Sequence, residues 1–150
     1  LNARTNFGGT ALMWACEVGR KDVVQLLLDN SERIDLNARD DTGWTAFMKA
    51  CKHGRKDVVQ LLMDHSDKIE LNARNDYGET ALFFALSYGH EDIVKLFLKH
   101  PDSNVRLFKC MPEVHISGDD ALMIAFQNRH TAIFQMLIKG IIPGRVYPDL

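Results

Sequence analysis

Six histidines, three cysteines and 20 acidic side chains are the residues of this 150-residue chain that could carry chemistry. A metal site would need several of them at ligand spacing, such as cysteines two residues apart or an HExxH helix. Neither occurs: Cys16, Cys51 and Cys110 stand far apart, and His53, His65, His90, His100, His115 and His130 are scattered singly. Glycine loops that cradle phosphate and the GxSxG turn that presents a serine nucleophile are missing too. Gly8-Gly9 reads as a turn, and no two carboxylates stand out as an acid and base pair. The residue types therefore point to no catalytic set, no metal and no cofactor, and function is expected on a surface.

Composition narrows the class of surface. Hydrophobic residues make up 46% of the chain and charged residues 25%, which is ordinary for a folded domain and excludes general disorder. Lys+Arg is 18 against Asp+Glu 20, with the signs interspersed, so nucleic acid is a poor expectation as partner. No run approaches the ~18 apolar residues of a membrane span, so membrane insertion is not expected. An odd number of cysteines, two of them inside apolar patterns, reads as reduced thiols acting as small core residues. That predicts an intracellular location, the cytoplasm first and the nucleus second. The start at Leu1, without methionine or leader, predicts a segment of a longer protein.

The elements that must build such a surface follow from internal repetition. Leu1-Asn2-Ala3-Arg4 returns as Leu36-Asn37-Ala38-Arg39 and Leu71-Asn72-Ala73-Arg74, 35 residues apart each time. Gly8, Gly43 and Gly78 share a phase, as do Thr10, Thr45 and Thr80. The run Gly19 to Leu27 repeats unchanged as Gly54 to Leu62 and in altered form as Gly89 to Phe97. A fourth, weaker copy begins at Gly118-Asp119-Asp120-Ala121-Leu122, at a spacing of 40 from the third.

Each copy carries its own punctuation. Thr10, Thr45 and Thr80, and Asp120 in the fourth copy, stand where a side-chain oxygen can cap a short helix. Gly19, Gly54 and Gly89 follow that helix, where the chain must turn through the left-handed region. A second helix begins at Asp22-Val23-Val24 and its equivalents, its acid favourable against the helix dipole. Neither helix is stable alone at ~8–10 residues, so each copy must bury its apolar face on its neighbours.

This pattern of Gly-x-Thr-Ala-Leu, then Gly-Arg-Lys-Asp-Val-Val-x-Leu-Leu, then Leu-Asn-Ala-Arg resembles the ankyrin repeat. The family's unit is ~33 residues, so these copies carry about two more. The resemblance covers residues 1–100 and, more weakly, 115–140; residues 101–114 and 141–150 do not match. It implies an all-α fold, an ankyrin-repeat solenoid of about four stacked helix-turn-helix units joined by β-turn finger loops. The units are read as about 1–35, 36–70, 71–114 and 115–140, making a repeat domain 1–140 with a tail from 141. Two departures are expected to weaken the turn: Ala11, Ala46 and Ala81 replace the family's usual proline, and Met13, Met48 and Phe83 its usual histidine. His90 and His130 fall where the family often places a structural histidine. The apolar stretch Pro101–Val114 is expected to fold back on the stack.

The resemblance further implies a partner surface on the concave face, built from turn tips and first helices. Transferred position by position, the first unit offers Phe7 and Trp14, with Glu17 beside them. The second offers Asp41, Thr42, Trp44, Lys49, Lys52 and His53. The third offers Asp76, Tyr77, Glu79, Phe84 and Tyr88. Read without the family, Phe7, Trp44, Tyr77 and Tyr88 are aromatics at positions the repeat does not need for its core, and such residues dominate interface hot spots. They could instead pack on the adjacent finger. Trp14 and Phe84 share one slot, half-buried in such stacks, and Lys49 in that slot suggests that it meets solvent in the second unit. The acids Asp40, Asp41, Asp76 and Glu79 form a rim that would suit a basic or amphipathic partner.

These observations give a non-enzymatic protein-interaction scaffold as the expected function. The alternative is a regulatory sensor in which the aromatics with Lys49, Lys52 and Arg39 hold a nucleotide or nucleic acid.

Overall fold

The computed structural model describes residues 3–100 and 120–141 of the chain. Among these residues the chain forms eight α-helices and no strand. They are α1 (Ala11–Val18), α2 (Lys21–Asp29), α3 (Ala46–Lys52), α4 (Lys56–Met63), α5 (Ala81–Ser87), α6 (Glu91–Lys99), α7 (Asp120–Gln127) and α8 (Thr131–Ile141). The stretch Pro101–Val114 and residues 142–150 lie outside the described residues. Helix α7 begins at Asp120, and α8 runs one residue past the boundary read from the sequence.

The threonines start the first helices. Thr10, Thr45 and Thr80 are extended, and each hydroxyl accepts the backbone N–H three residues on, from Met13, Met48 and Phe83, at 3.3 Å. This satisfies one of the orphan donors of the first turn. The methionine that replaces the family's histidine is not inert in the first unit. The Met13 sulfur accepts the Thr10 N–H at 3.4 Å, which closes a reciprocal cap. Asp22, Asp57 and Glu91-Asp92 lie in the first turns of the second helices, as expected.

The helices pack in two layers. Helices α1, α3, α5 and α7 succeed one another in one layer, and α2, α4, α6 and α8 in the other, with each pair of a unit packed across. The core runs unbroken between the layers. Leu12, Met13, Phe47, Met48, Leu62, Leu86, Ile93, Phe97, Ile133 and Leu137 are essentially buried within it. Each such side chain contributes roughly 1.5–3 kcal/mol when fully buried. Phe47 and Phe97 meet across units at 5.9 Å. Leu26 is 62% exposed, whereas Leu61 in the same slot of the second unit is 8% exposed.

Two hydrogen-bonded ladders fix the register between units. In the first, Arg4 donates to the Arg39 carbonyl and Arg39 to the Arg74 carbonyl, both at 2.7 Å. In the second, the residue before α4, α6 and α8 reaches back to the previous unit. Arg55 donates to the Glu17 carbonyl at 2.9 Å, His90 to that of Lys52 at 2.7 Å and His130 to that of Ser87 at 3.2 Å. A carbonyl can only accept, so Nε2 carries the proton in both histidines. Gly54 makes room for this clamp: its φ is +68°, and a Cβ there would lie 2.7 Å from the His90 ring. His65 is structural as well, its Nδ1 bonded to the Leu61 carbonyl at 2.9 Å.

Candidate functional site

The site is built from the turns upward. In each of the first three units, a side chain at the start of the finger gathers the turn's N–H groups. Thr5 accepts from Gly9, Asp40 from Thr42 and Trp44, and Asn75 from Tyr77 and Glu79, at 2.9–3.1 Å. Three different residue types do one job, because each offers an oxygen at the same reach. The turns are also tied to one another: the Asp41 N–H donates to the Phe7 carbonyl and the Asp76 N–H to that of Thr42, each at 3.2 Å. Gly43 sits at φ +79°, and a Cβ there would lie 2.6 Å from the Asp76 carboxylate. The tips are therefore ordered by their neighbours, and Asp41, Thr42, Asp76 and Tyr77 stand exposed on them.

Behind the second tip, the structure brings several of the expected residues together. Trp44 is half-buried and stacks on Phe84 of the next unit, with ring centroids 4.2 Å apart. Phe84 is only 4% exposed. It is the floor under Trp44 and offers no surface of its own, so of the two roles that the repeat pattern allowed this slot Phe84 takes the packed one. Trp44 thus takes both readings, packed on one face and open elsewhere. Lys49 lies 5.5 Å from the centre of the Trp44 ring and Lys52 lies 4.9 Å from it. The Lys52 ammonium is also 5.8 Å from the ring of Tyr88, which is 55% exposed and stacks on His90 at 6.3 Å. Two cations over ring faces are favourable, more so when partly desolvated.

The two lysines are not equivalent. Lys49 pairs with the second oxygen of Asp40 at 3.1 Å, the side chains being 21% and 11% exposed. Burial works to raise the Asp40 carboxyl, but the Trp44 N–H, the Lys49 ammonium and the Thr42 N–H and hydroxyl together hold it below the usual carboxylate range. Lys52 has no carboxylate within 4 Å among the described residues. His53 lies beside Glu17 at 3.7 Å. Burial pushes His53 below the ordinary histidine value; Glu17 opposes this, and Lys52, Arg55 and Lys49 reinforce it. On the third tip, the Asn75 amide donates to the Glu79 carboxylate at 2.8 Å. The acidic rim is therefore divided: Asp40 and Glu79 are engaged within their turns, and Asp41 and Asp76 stand exposed on the tips, each against the glycine of the preceding turn.

Phe7, Trp14 and Tyr77 stand apart from this cluster. They are 81%, 67% and 68% exposed and meet no ring among the described residues. Trp14 lines an open groove at the first unit with Arg4, Thr10, Arg20 and Val23. What the repeat pattern did not give is the role of Asp40 as the hub of the second turn, or of His90 as both clamp and platform for Tyr88. The signal for the hub was present, since Thr5, Asp40 and Asn75 are three oxygen-bearing residues in one phase. The thiols are sealed: burial pushes Cys16 up to about 12, and burial with the neighbouring Cys16 raises Cys51 as well. Among the described residues, no cluster of histidine, cysteine and acidic side chains could hold a metal, and no helix is long and apolar enough to cross a membrane.

Comparison with the curated proteins gives no match. A family model described as ankyrin repeats (3 copies) matches residues 1–75 and again residues 68–145. Ankyrin repeats are generally protein-interaction modules and typically non-catalytic. The capped helix pairs, the finger turns and the two-layer stack agree with that match, and the chain belongs to the ankyrin repeat family.

Proposed function

We propose that this chain is a non-catalytic scaffold that binds a protein partner on the face formed by its finger tips and first helices. The observation that carries the reading is the group Trp44, Lys52 and Tyr88, in which two aromatic rings and a cation are held together at a solvent-facing position. Rings with little conformational freedom to lose are the usual anchors of protein interfaces. The surface extends from this group over Lys49 and His53 to the tips bearing Asp41, Thr42, Asp76, Tyr77 and Glu79, and towards Phe7 and Trp14. The sealed thiols suit an intracellular setting, cytoplasmic or nuclear.

The competing reading, a regulatory module for a nucleotide or nucleic acid, needs Arg39, Lys49 and Lys52 for phosphate. Arg39 donates to the Arg74 carbonyl and Lys49 pairs with Asp40, so two of the three cations have other partners. The test is a pull-down from cell lysate with the folded wild type and with a Trp44→Ala, Tyr77→Ala, Tyr88→Ala variant whose circular dichroism matches it. The reading expects a protein retained by wild type and lost by the variant. Identical sets of retained proteins would move the site to another face.

A further inference from the structure

We infer that the centre of this face is an acid-selective site: Lys52, held between Trp44 and Tyr88, takes the single carboxylate of a lone acidic residue of the partner protein, flanked by apolar side chains. The inference rests on the proposal that this face binds protein, and adds what the partner must present.

Lys52 is placed in advance. Trp44 is fixed by its stack on buried Phe84 at 4.2 Å. Tyr88 is fixed by its stack on His90, whose ring donates to the Lys52 carbonyl at 2.7 Å. The residue that presents the cation and the ring that steadies it are thus joined through one hydrogen bond. An ammonium carries three N–H donors, and among the described residues no side chain or carbonyl hydrogen-bonds to that of Lys52. Its half-burial and the two rings reduce its hydration, so a carboxylate arriving there gains a charge-assisted bond with little ordering left to lose. The ring edges around it offer apolar contact to whatever flanks the acid.

The surroundings select one acid over a polyanion. Lys49 is neutralised by Asp40. Asp41 and Asp76 stand exposed on the adjacent tips, and the whole chain carries a formal charge of −2. A run of phosphates or of carboxylates crossing the tips would be repelled, and a lone acid at the centre would not. The exposed tip acids favour basic or neutral residues to either side of it. The acidic rim read from the sequence is thus only the border of a cationic centre.

The experiment uses a phage-displayed library of random dodecapeptides, panned on the folded protein, followed by fluorescence-polarisation titration of one selected peptide. The expected consensus holds one Asp or Glu beside an aromatic or aliphatic residue. Lys52→Met, which keeps the apolar stem but removes the charge, should weaken that peptide on the order of tenfold. The same peptide with its acid changed to the amide should lose much less than that on going from wild type to Lys52→Met, and Lys52→Arg should restore most of the affinity. Matching thermal melts establish that the variants are folded. A library that yields no acidic consensus, or an acid and amide peptide equally affected by Lys52→Met, overturns the inference. If Trp44→Ala with Tyr88→Ala abolishes binding while Lys52→Met does not, the face binds protein without acid selection. If binding survives all three changes, the protein-binding face is itself misplaced. Displacement of the peptide by a dT15 oligonucleotide at micromolar concentration would show a polyanion site and overturn the inference as well.

Discussion

Asp40 offers the sharpest test of how the second finger is held. One of its oxygens accepts from the Thr42 N–H, the Thr42 hydroxyl and the Trp44 N–H at 2.9–3.0 Å, and the other pairs with Lys49 at 3.1 Å. Asp40→Ala removes all four contacts. Thr42 is exposed, so water replaces its lost acceptor at little cost. The Trp44 N–H lies in a half-buried position and loses roughly 1–2 kcal/mol. Lys49 is left without its partner in a site where it is 21% exposed, for about 1 kcal/mol more. The total is about 2–3 kcal/mol. Asp40→Asn should cost about 1 kcal/mol, because Asn75 shows that an amide oxygen serves the same turn in the third unit. It is not free of cost, because the Asn75 amide faces the Glu79 carboxylate whereas an amide at position 40 would face the Lys49 ammonium. Urea unfolding followed by circular dichroism and by tryptophan emission measures both variants. The charge adds a pH signature. The folded-state value of Asp40 lies below the unfolded one, so its contribution is fully present above about pH 4 and is lost as pH falls through the folded-state value. The gap between wild type and Asp40→Asn should therefore narrow on acidification. An alanine variant within about 0.5 kcal/mol of wild type, or a gap to the asparagine variant that widens in acid, would mean that Asp40 does not hold the finger.

Other perturbations test the frame. Thr45→Ala should cost about 1 kcal/mol in urea unfolding through loss of the cap on Met48; no measurable change would contradict the helix start. Leu61→Ala should cost about 2–5 kcal/mol, whereas Leu26→Ala, in the same slot but 62% exposed, should cost under about 0.5 kcal/mol. Equal losses would mean that burial between units is not what the slot provides. At about pH 8, iodoacetamide should leave Cys16 and Cys51 unmodified in the native protein and label both in guanidinium, since burial keeps them as thiols. Rapid native labelling at either peptide, read by mass spectrometry, would contradict the sealed core.

The fold was legible because every local signal agreed in phase. A capping threonine, a left-handed glycine and an apolar second helix recur at 35-residue spacing, and each does in the structure what its type suggests. The site was legible only in part. Aromatics on the tips could be named from their phase, and Tyr77 and Phe7 are indeed exposed. What phase alone does not reveal is which neighbours meet across units. Phe84 and Trp14 occupy one slot, yet Phe84 lies at 4% exposure under Trp44 while Trp14 stands open at 67%. The difference comes from what stacks on each slot, which is a property of adjacent repeats. The same holds for the lysines, since only the fold shows that Asp40 turns towards Lys49 and leaves Lys52 to the rings.

Whether the finger-tip face holds the partner can be read by site-specific photo-cross-linking in lysate. A benzophenone side chain would replace Tyr77 on the third tip or, as the contrast, Gln60 on the exposed face of α4. A cross-linked protein is expected at position 77 that disappears when Trp44 and Tyr88 are changed to alanine, and none at position 60. A partner captured at position 60 and not at position 77 would place binding on the second-helix layer and contradict the proposed face.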